Sequence, residues 1–407
     1  MREEDWRAKR TYLFDRLRAI PQGAIEAAST TFLLLIAVQS FDADASAKSL
    51  IAAAGNIGLL ASLWAVPLAQ RWSLPTTRLA GWMMAVGGGA MLGAALLPSL
   101  TTLVGASIIA IGAANAIIPL ITAAYQENYP PRSRGRWVSQ AFVIRVIAAA
   151  AFAELAGRLL TADPRLFRLL LGLFGGAFLA AAIFLWQIPS QPLSRASLHG
   201  GVALGALRAL RFLYTDRTLR WVLSSWMLMG FANLMMLPLR VEFLANPRYG
   251  LALNPQQIGF YTVLVPGLVR LALTPIWGRL FDRMEFFVLR ILLNTGFALS
   301  IAAFFLGTDE LGLLLGAALF GAAAAGGEIA WNLGVTKFAP PERVAEYMGV
   351  HTFLTGVRGV LAPVVAFWLV ELLPISAAAL FAAGLIGVAS LMLVPEVKGA
   401  KGKPQTS

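Results

Sequence analysis

Between its charged clusters the chain keeps returning to one pattern, an apolar run of about twenty residues closed by Gly, Pro or charge. About 20 helical residues cross the roughly 30 Å core of a bilayer. In hydrocarbon only helices and closed barrels satisfy their own backbone. Runs of this length, repeated this often, point to an all-α membrane protein. Composition agrees: 58% of the 407 residues are hydrophobic, 13% are charged, and the mean hydropathy is +0.71. A soluble domain carries about 25% charge, so this chain could not clothe itself in polar surface.

Twelve spans are expected, at about 20–38, 49–69, 79–98, 101–124, 137–160, 167–188, 219–239, 256–277, 288–306, 311–335, 344–370 and 375–394. With both ends inside, 24 of the 33 Lys and Arg fall on inner segments. Only Lys48, Arg158, Arg165, Arg168, Arg240 and Arg248 fall outside, and Arg145, Arg270 and Arg358 lie within spans. Basic residues gather in cytoplasmic loops, so the expected place is the cytoplasmic (inner) membrane with both termini cytoplasmic. The same rule accounts for the net charge of +12 without nucleic acid. With no cysteine, disulfides, thiolate metal sites and thiol chemistry are excluded. Met1–Arg18 is basic and lacks the short apolar core of a cleaved signal peptide. The expected division is a tail 1–19, a six-helix bundle 20–188, a linker 189–217, a second bundle 218–395 and a tail 396–407. Within the linker, Leu204–Tyr214 carries Arg208 and Arg211 three apart, the pattern of a short surface helix or of a plain basic tether.

The halves echo one another. Span 1 has Gly23-x-x-Glu26 and span 7 has Gly230-x-x-Asn233. Asn128-Tyr-Pro-Pro-Arg132 follows span 4, and Phe338-Ala-Pro-Pro-Glu-Arg343 follows span 10. Arg145 sits in span 5 and Arg358 in span 11. The common order supports parallel six-helix repeats. After span 8 stands Gly278-Arg-Leu-Phe-Asp282-Arg283, and Gln70-Arg71 holds the matching place after span 2. With these motifs the chain resembles a bacterial major facilitator superfamily transporter. The stretch Pro341–Pro363, with Gly356-Val-Arg358-Gly359, resembles helix 11 of such proteins. The resemblance implies twelve helices in two pseudo-symmetric six-helix bundles, the third helix of each triplet facing lipid. Two departures stand out. Met284, Glu285 and Phe286 replace the later Gly and Arg pair of the loop signature, and Ala148–Gly157 lacks the proline of drug–proton antiporters.

An ionisable group in hydrocarbon costs about 2.5–3.5 kcal/mol on insertion scales, so each one is expected to meet a partner or a wet cavity. Glu26, Arg145, Arg270, Glu328 and His351 each lie about 12–13 Å along their helices from the inner interface. Arg358 sits higher, and Glu154 lies near the outer end. Spans 3, 6, 9 and 12 carry none in their interiors. On one reading, Arg145, Arg358 and Arg270 bind an anionic group, with Asn115, Asn233, Trp331 and Asn332 beside them. Glu26, Glu328 or His351 then carries the coupling proton. On the other, Glu26 pairs with Arg145, and Glu328 with Arg270 or Arg358, as structural locks. His351 is then a packing residue. Ring stacking by Trp331, hydrogen bonding by Tyr261 and ordinary apolar packing are also open. Pro119, Pro238, Pro266, Pro275 and Pro363 are expected to interrupt their helices.

The function expected is secondary active transport of a small organic solute by alternating access, driven by protons. A facilitative carrier or a drug or metabolite exporter is the near variant. A non-transporting scaffold or sensor of the same fold is the alternative of another class, and Gln70 in place of Asp suits it. No nucleotide loop, metal-ligand spacing or nucleophile–base pattern supports an enzyme, and no cofactor is implied. The partners are the solute, the lipid bilayer and protons, for a monomer without nucleic acid. By analogy with the family, Gly278, Asp282 and Arg283 form a gate. Asp282 pairs with Arg132, Arg134 or Arg136, while Gln70 and Arg71 make the weaker latch of the other half.

Overall fold

The computed structural model describes residues 3–130, 134–192, 210–307, 309–339 and 344–400. Twelve helices in it are long and apolar enough to cross a membrane. They are α1 (Trp6–Phe41), α2 (Ala45–Arg71), α3 (Thr76–Leu96), α4 (Leu100–Asn128), α5 (Trp137–Ala162) and α6 (Pro164–Gln187). The second set is α7 (Arg217–Ala245), α8 (Pro255–Arg283), α9 (Phe286–Leu306), α10 (Glu310–Leu333), α11 (Val350–Leu372) and α12 (Ile375–Val397). Among the described residues the only extended pairing is an isolated bridge between Pro75 and Pro192.

The helices start where side chains can satisfy their first backbone donors. Asp44 accepts from the Ala47 amide, Asp309 from Gly312, and Glu285 from Phe287 and Val288. Ser99 with Thr102, and Asn254 with Gln257, form reciprocal capping boxes. Outward faces stay apolar: Val86 is 61% and Leu391 70% exposed, the expected surface of a helix solvated by lipid tails.

The chain divides into two compact units, Met1–Leu204 with Leu244–Leu264, and Gly205–Phe243 with Val265–Ser407. In the first, α2 and α4 touch through glycine. A Cβ on Gly58 would lie 2.0 Å from the Gly112 carbonyl oxygen, so the backbones meet with nothing between them. In the second, Trp226, Phe286, Leu289, Leu293, Tyr347 and Val350 build one apolar core.

Several boundaries differ from expectation. The helical run that leads into α1 begins at Glu3, so most of the expected tail is helical. Its basic residues are fastened sideways: Arg7 to Glu127 at 2.9 Å, and Arg10 to the Gln187 carbonyl and side chain. Gly278–Arg283 is no loop but the end of α8, and Gln70-Arg71 likewise ends α2. Glu285, which breaks the family pattern, caps α9. Of Leu204–Tyr214, residues 204–209 lie outside the described residues, and Phe212–Thr215 forms one helical turn. Among the prolines, Pro119 follows a break at Ile117 and Pro266 follows a π-helical turn. Pro238, Pro275 and Pro363 stand inside continuous helices, where the missing donor is one bond in a long ladder.

The contact at Gly58 yields a paired test. Gly58→Ala should lower thermal stability in detergent by about 1–3 kcal/mol, the usual cost of overpacking. Gly89→Ala, on an exposed stretch of α3 with nothing within 4 Å, should be neutral or stabilising by up to about 1 kcal/mol.

Candidate functional site

In the first unit the sequence motif Gly-x-x-Glu meets the span 5 arginine. A Cβ on Gly23 would lie 2.6 Å from both the Arg145 carbonyl oxygen and the Ala149 amide nitrogen, so α1 and α5 are in backbone contact there. One turn along α1, Glu26 Oε2 stands 3.0 Å from Arg145 Nε. The Glu26 and Arg145 side chains are 22% and 32% exposed. The Arg145 guanidinium also lies 4.9 Å from the centre of the Phe142 ring. Of the two expected locks, this one is present.

Immediately after Glu26 the helix widens into a π turn, Ala28–Phe32. There the Leu33 amide reaches back five residues to the Ala28 carbonyl. Hydroxyls fold back at its start: Ser29 Oγ at 3.0 Å and Thr30 Oγ1 at 2.8 Å both donate to the Glu26 carbonyl. A second π turn, Phe260–Leu264 on α8, belongs to the same unit. The Thr31 and Thr262 hydroxyls join the two turns at 2.8 Å. Single π turns inside α-helices are frequent at functional sites.

Other sequence candidates in this unit are placed as follows. Asn115 is half-buried, donates to the Ile111 carbonyl at 3.2 Å and fills the space beside Gly55. Glu154 accepts from Arg158 at 2.7 Å and from Gln256 at 2.8 Å. Gln70 is buried and Arg71 exposed at the end of α2. The side chains of Arg134 and Arg136, and all of Arg132, lie outside the described residues. Sequence reasoning missed a buried triad nearer the start of α1. Asp15 accepts from Arg18 at 2.8 Å and from the Tyr125 hydroxyl at 2.6 Å. The i, i+3 spacing of Asp15 and Arg18 was its signal.

The second unit repeats the first-to-fifth helix contact with a different outcome. A Cβ on Gly230 would lie 2.1 Å from Arg358 Cζ, so this glycine makes room for the guanidinium itself. The residue one turn on is Asn233, half-buried, where the first unit has Glu26. Arg358 Nη1 donates to the Trp226 backbone carbonyl and lies 3.9 Å from Met227 Sδ. Glu328, the partner expected for Arg270 or Arg358, is exposed on α10 and makes no ion pair with a described residue. That lock is absent: helix phase turns Glu328 away from the face that carries Gly326 and Ala330 into the core. Its backbone carbonyl accepts from Asn332 at 2.8 Å.

His351 is buried, 1% exposed. Its ring centre lies 4.6 Å from that of Trp226 and 5.6 Å from that of the half-buried Trp331. Arg270 is half-buried on α8. Tyr261 is buried edge-to-face against Phe260, and Asp282 and Arg283 are exposed beside Gly278.

Two arginines correct the expectation from spans. Arg290, counted among the inner-loop charges, is 5% exposed within α9, its guanidinium 4.8 Å from the centre of the Trp226 ring. Arg240, counted as outer, is 3% exposed. It donates to Ser300 at 2.7 Å and lies over the Phe320 ring at 3.9 Å. Aromatic faces cover both cations, which charge counting cannot reveal.

Residues 243–407 match the Major Facilitator Superfamily sequence model, and the backbone aligns over nearly its whole length with solved carriers of that superfamily. The chain has the major facilitator fold. Nucleoside transporter NupG superposes with a TM-score of 0.75 at 15% identity, over 95% of this chain and 99% of that one. A D-xylose-proton symporter gives 0.64 at 16%, over 95% of each chain. The human organic anion transporter MFSD10 gives 0.60 at 17%, over 97% of this chain and 100% of that one. A search of curated protein sequences finds no match.

The Glu26–Arg145 pair is testable by a double-mutant cycle. Glu26→Gln and Arg145→Gln should each destabilise the protein in detergent. The double variant should recover a coupling of about 1 kcal/mol, between the values for exposed and fully buried pairs. Additive losses would show that the pair contributes nothing.

Proposed function

We propose that the chain is a proton-coupled secondary carrier of a small organic anion, working by alternating access in the cytoplasmic membrane with both termini cytoplasmic. One observation carries the reading: the two fifth-helix arginines occupy matching positions, yet only Arg145 faces a carboxylate. Protonating Glu26 removes its charge and frees the Arg145 guanidinium, whose planar fork suits a carboxylate or phosphate group. The proton and the anion then enter together, and deprotonation of Glu26 restores the pair and expels the anion. Asn115 and Asn233 supply neutral hydrogen bonds, Arg358 a second cation, and Trp331 and Asn332 a flanking surface. Arg270 also remains in the anion-binding set. Glu328 and His351 remain further proton acceptors. Asp282 and Arg283, with Gln70 and Arg71, act as the gate.

Support from the fold neighbours is general: among them are a nucleoside transporter, a proton symporter and an organic anion transporter. Gln70 in place of the family's Asp favours the rival reading, a scaffold or sensor that moves nothing.

Uptake of a panel of labelled organic anions, sugars and nucleosides into proteoliposomes tests the proposal. Anion uptake should accelerate under an inward proton gradient. Arg145→Gln should lower it about tenfold or more, the worth of a hydrogen bond to a charged group. Glu26→Gln should keep anion exchange but lose the response to the gradient. Uptake restricted to cations, or no flux of any solute, would overturn the reading.

A further inference from the structure

The core of the second unit gathers Arg358 and His351, which the carrier reading names, with Arg290 and Trp226, which it does not use. Trp226, Arg290 and His351 are 2%, 5% and 1% exposed. Arg358 reaches the same tryptophan through its backbone carbonyl. His351 and Arg358 lie two turns apart on one face of α11, and Arg290 comes in from α9. The walls are apolar, with Phe286, Phe338 and Leu293 around the indole.

Four donors or potential donors in this cluster lack a hydrogen-bond partner: Trp226 Nε1, Arg290 Nε, Arg358 Nε and His351 Nδ1. Among the described residues no carboxylate pairs with either arginine. In the first unit Asp15 stands against Arg18 and Glu26 lies 3.0 Å from Arg145, although Arg145 Nε too completes no hydrogen bond. Two unanswered guanidiniums in an apolar core repel each other and lose their hydration. Stacking on the indole recovers only part of that loss.

We propose that Arg290, Arg358, His351 and Trp226 form a buried binding site for a small oxyanion, a carboxylate or an inorganic phosphate-like group. An anion among these groups offsets the arginines' charge, fully for a dianion and by half for a carboxylate, and accepts from the orphaned N–H groups. Arginine forks and an indole N–H donate only, so the site selects an acceptor-only partner. The ligand is either a resident inorganic ion or the acidic end of an organic molecule. The site does not require that anything be transported.

The test is thermal unfolding of the purified full-length protein in detergent. Chloride is replaced at constant ionic strength by inorganic phosphate, sulfate or acetate. The midpoint should rise saturably with at least one of the three. A response to phosphate or sulfate marks a resident inorganic ion; a response to acetate alone marks an organic acid. Arg290→Gln should abolish the rise. Trp226→Phe, which keeps the ring and loses the N–H, should weaken the anion about tenfold. Arg165→Gln, on an exposed turn, should respond like the parent protein. An unchanged parent midpoint in all three anions would overturn the site, as would a response that survives in both Arg290→Gln and Trp226→Phe. A midpoint response without flux would remove the carrier reading and leave the site. Flux without a response would do the opposite.

Discussion

A guanidinium enclosed by apolar side chains must be answered by negative charge or by a dense set of acceptors, and much of this chain's internal geometry follows from how that demand is met. In the first unit the answers are built in. Arg18 has Asp15, and Arg145 has Glu26. In the second, the helix that should supply the answer carries Asn233, and the arginines turn to carbonyls and rings. The repeat that makes the two units alike in backbone makes them unlike in electrostatics. Arg18 and Arg145 of the first stand against carboxylates, whereas Arg290 and Arg358 of the second meet none among the described residues.

That asymmetry has its origin in two glycines. The glycines of the first-to-fifth helix contacts set the geometry. Gly23 brings the backbones together so that the side chains one turn on must meet, while Gly230 leaves the space to the guanidinium. The same contact therefore gives a pair in one unit and an unanswered charge in the other.

The span count and the six-plus-six repeat were legible because hydrocarbon imposes its own length on every helix. The Gly23 and Gly230 motifs were legible as a repeat, and Glu26 with Arg145 as one of two outcomes. Arg290 was not. It stands four residues into α9, where a charge reads as part of an inner loop, and its burial depends on Trp226 arriving from α7. Arg240 escaped for the same reason, since Phe320 comes from a helix about eighty residues on. Glu328 failed in the opposite sense: its depth along α10 was readable, but the direction it faces follows from packing. Depth is a property of one segment, whereas partnership is a property of several.

The π turn after Glu26 has a consequence for how α1 relates its two halves. A turn closed over five residues instead of four accommodates one extra residue, and one residue is about 100° of helical phase. The face of α1 that presents Gly23 and Glu26 to α5 is therefore offset from the face the helix would show beyond Phe32 if it were α-helical throughout. Upstream of the turn the helix is registered to Arg145. Within it, Thr31 is registered to Thr262 of α8. A single helix is thus keyed to two neighbours by one inserted residue, with the hydroxyls of Ser29 and Thr30 folded back at its start. Losing that residue would leave α1 long enough to span but able to satisfy only one of its two registrations.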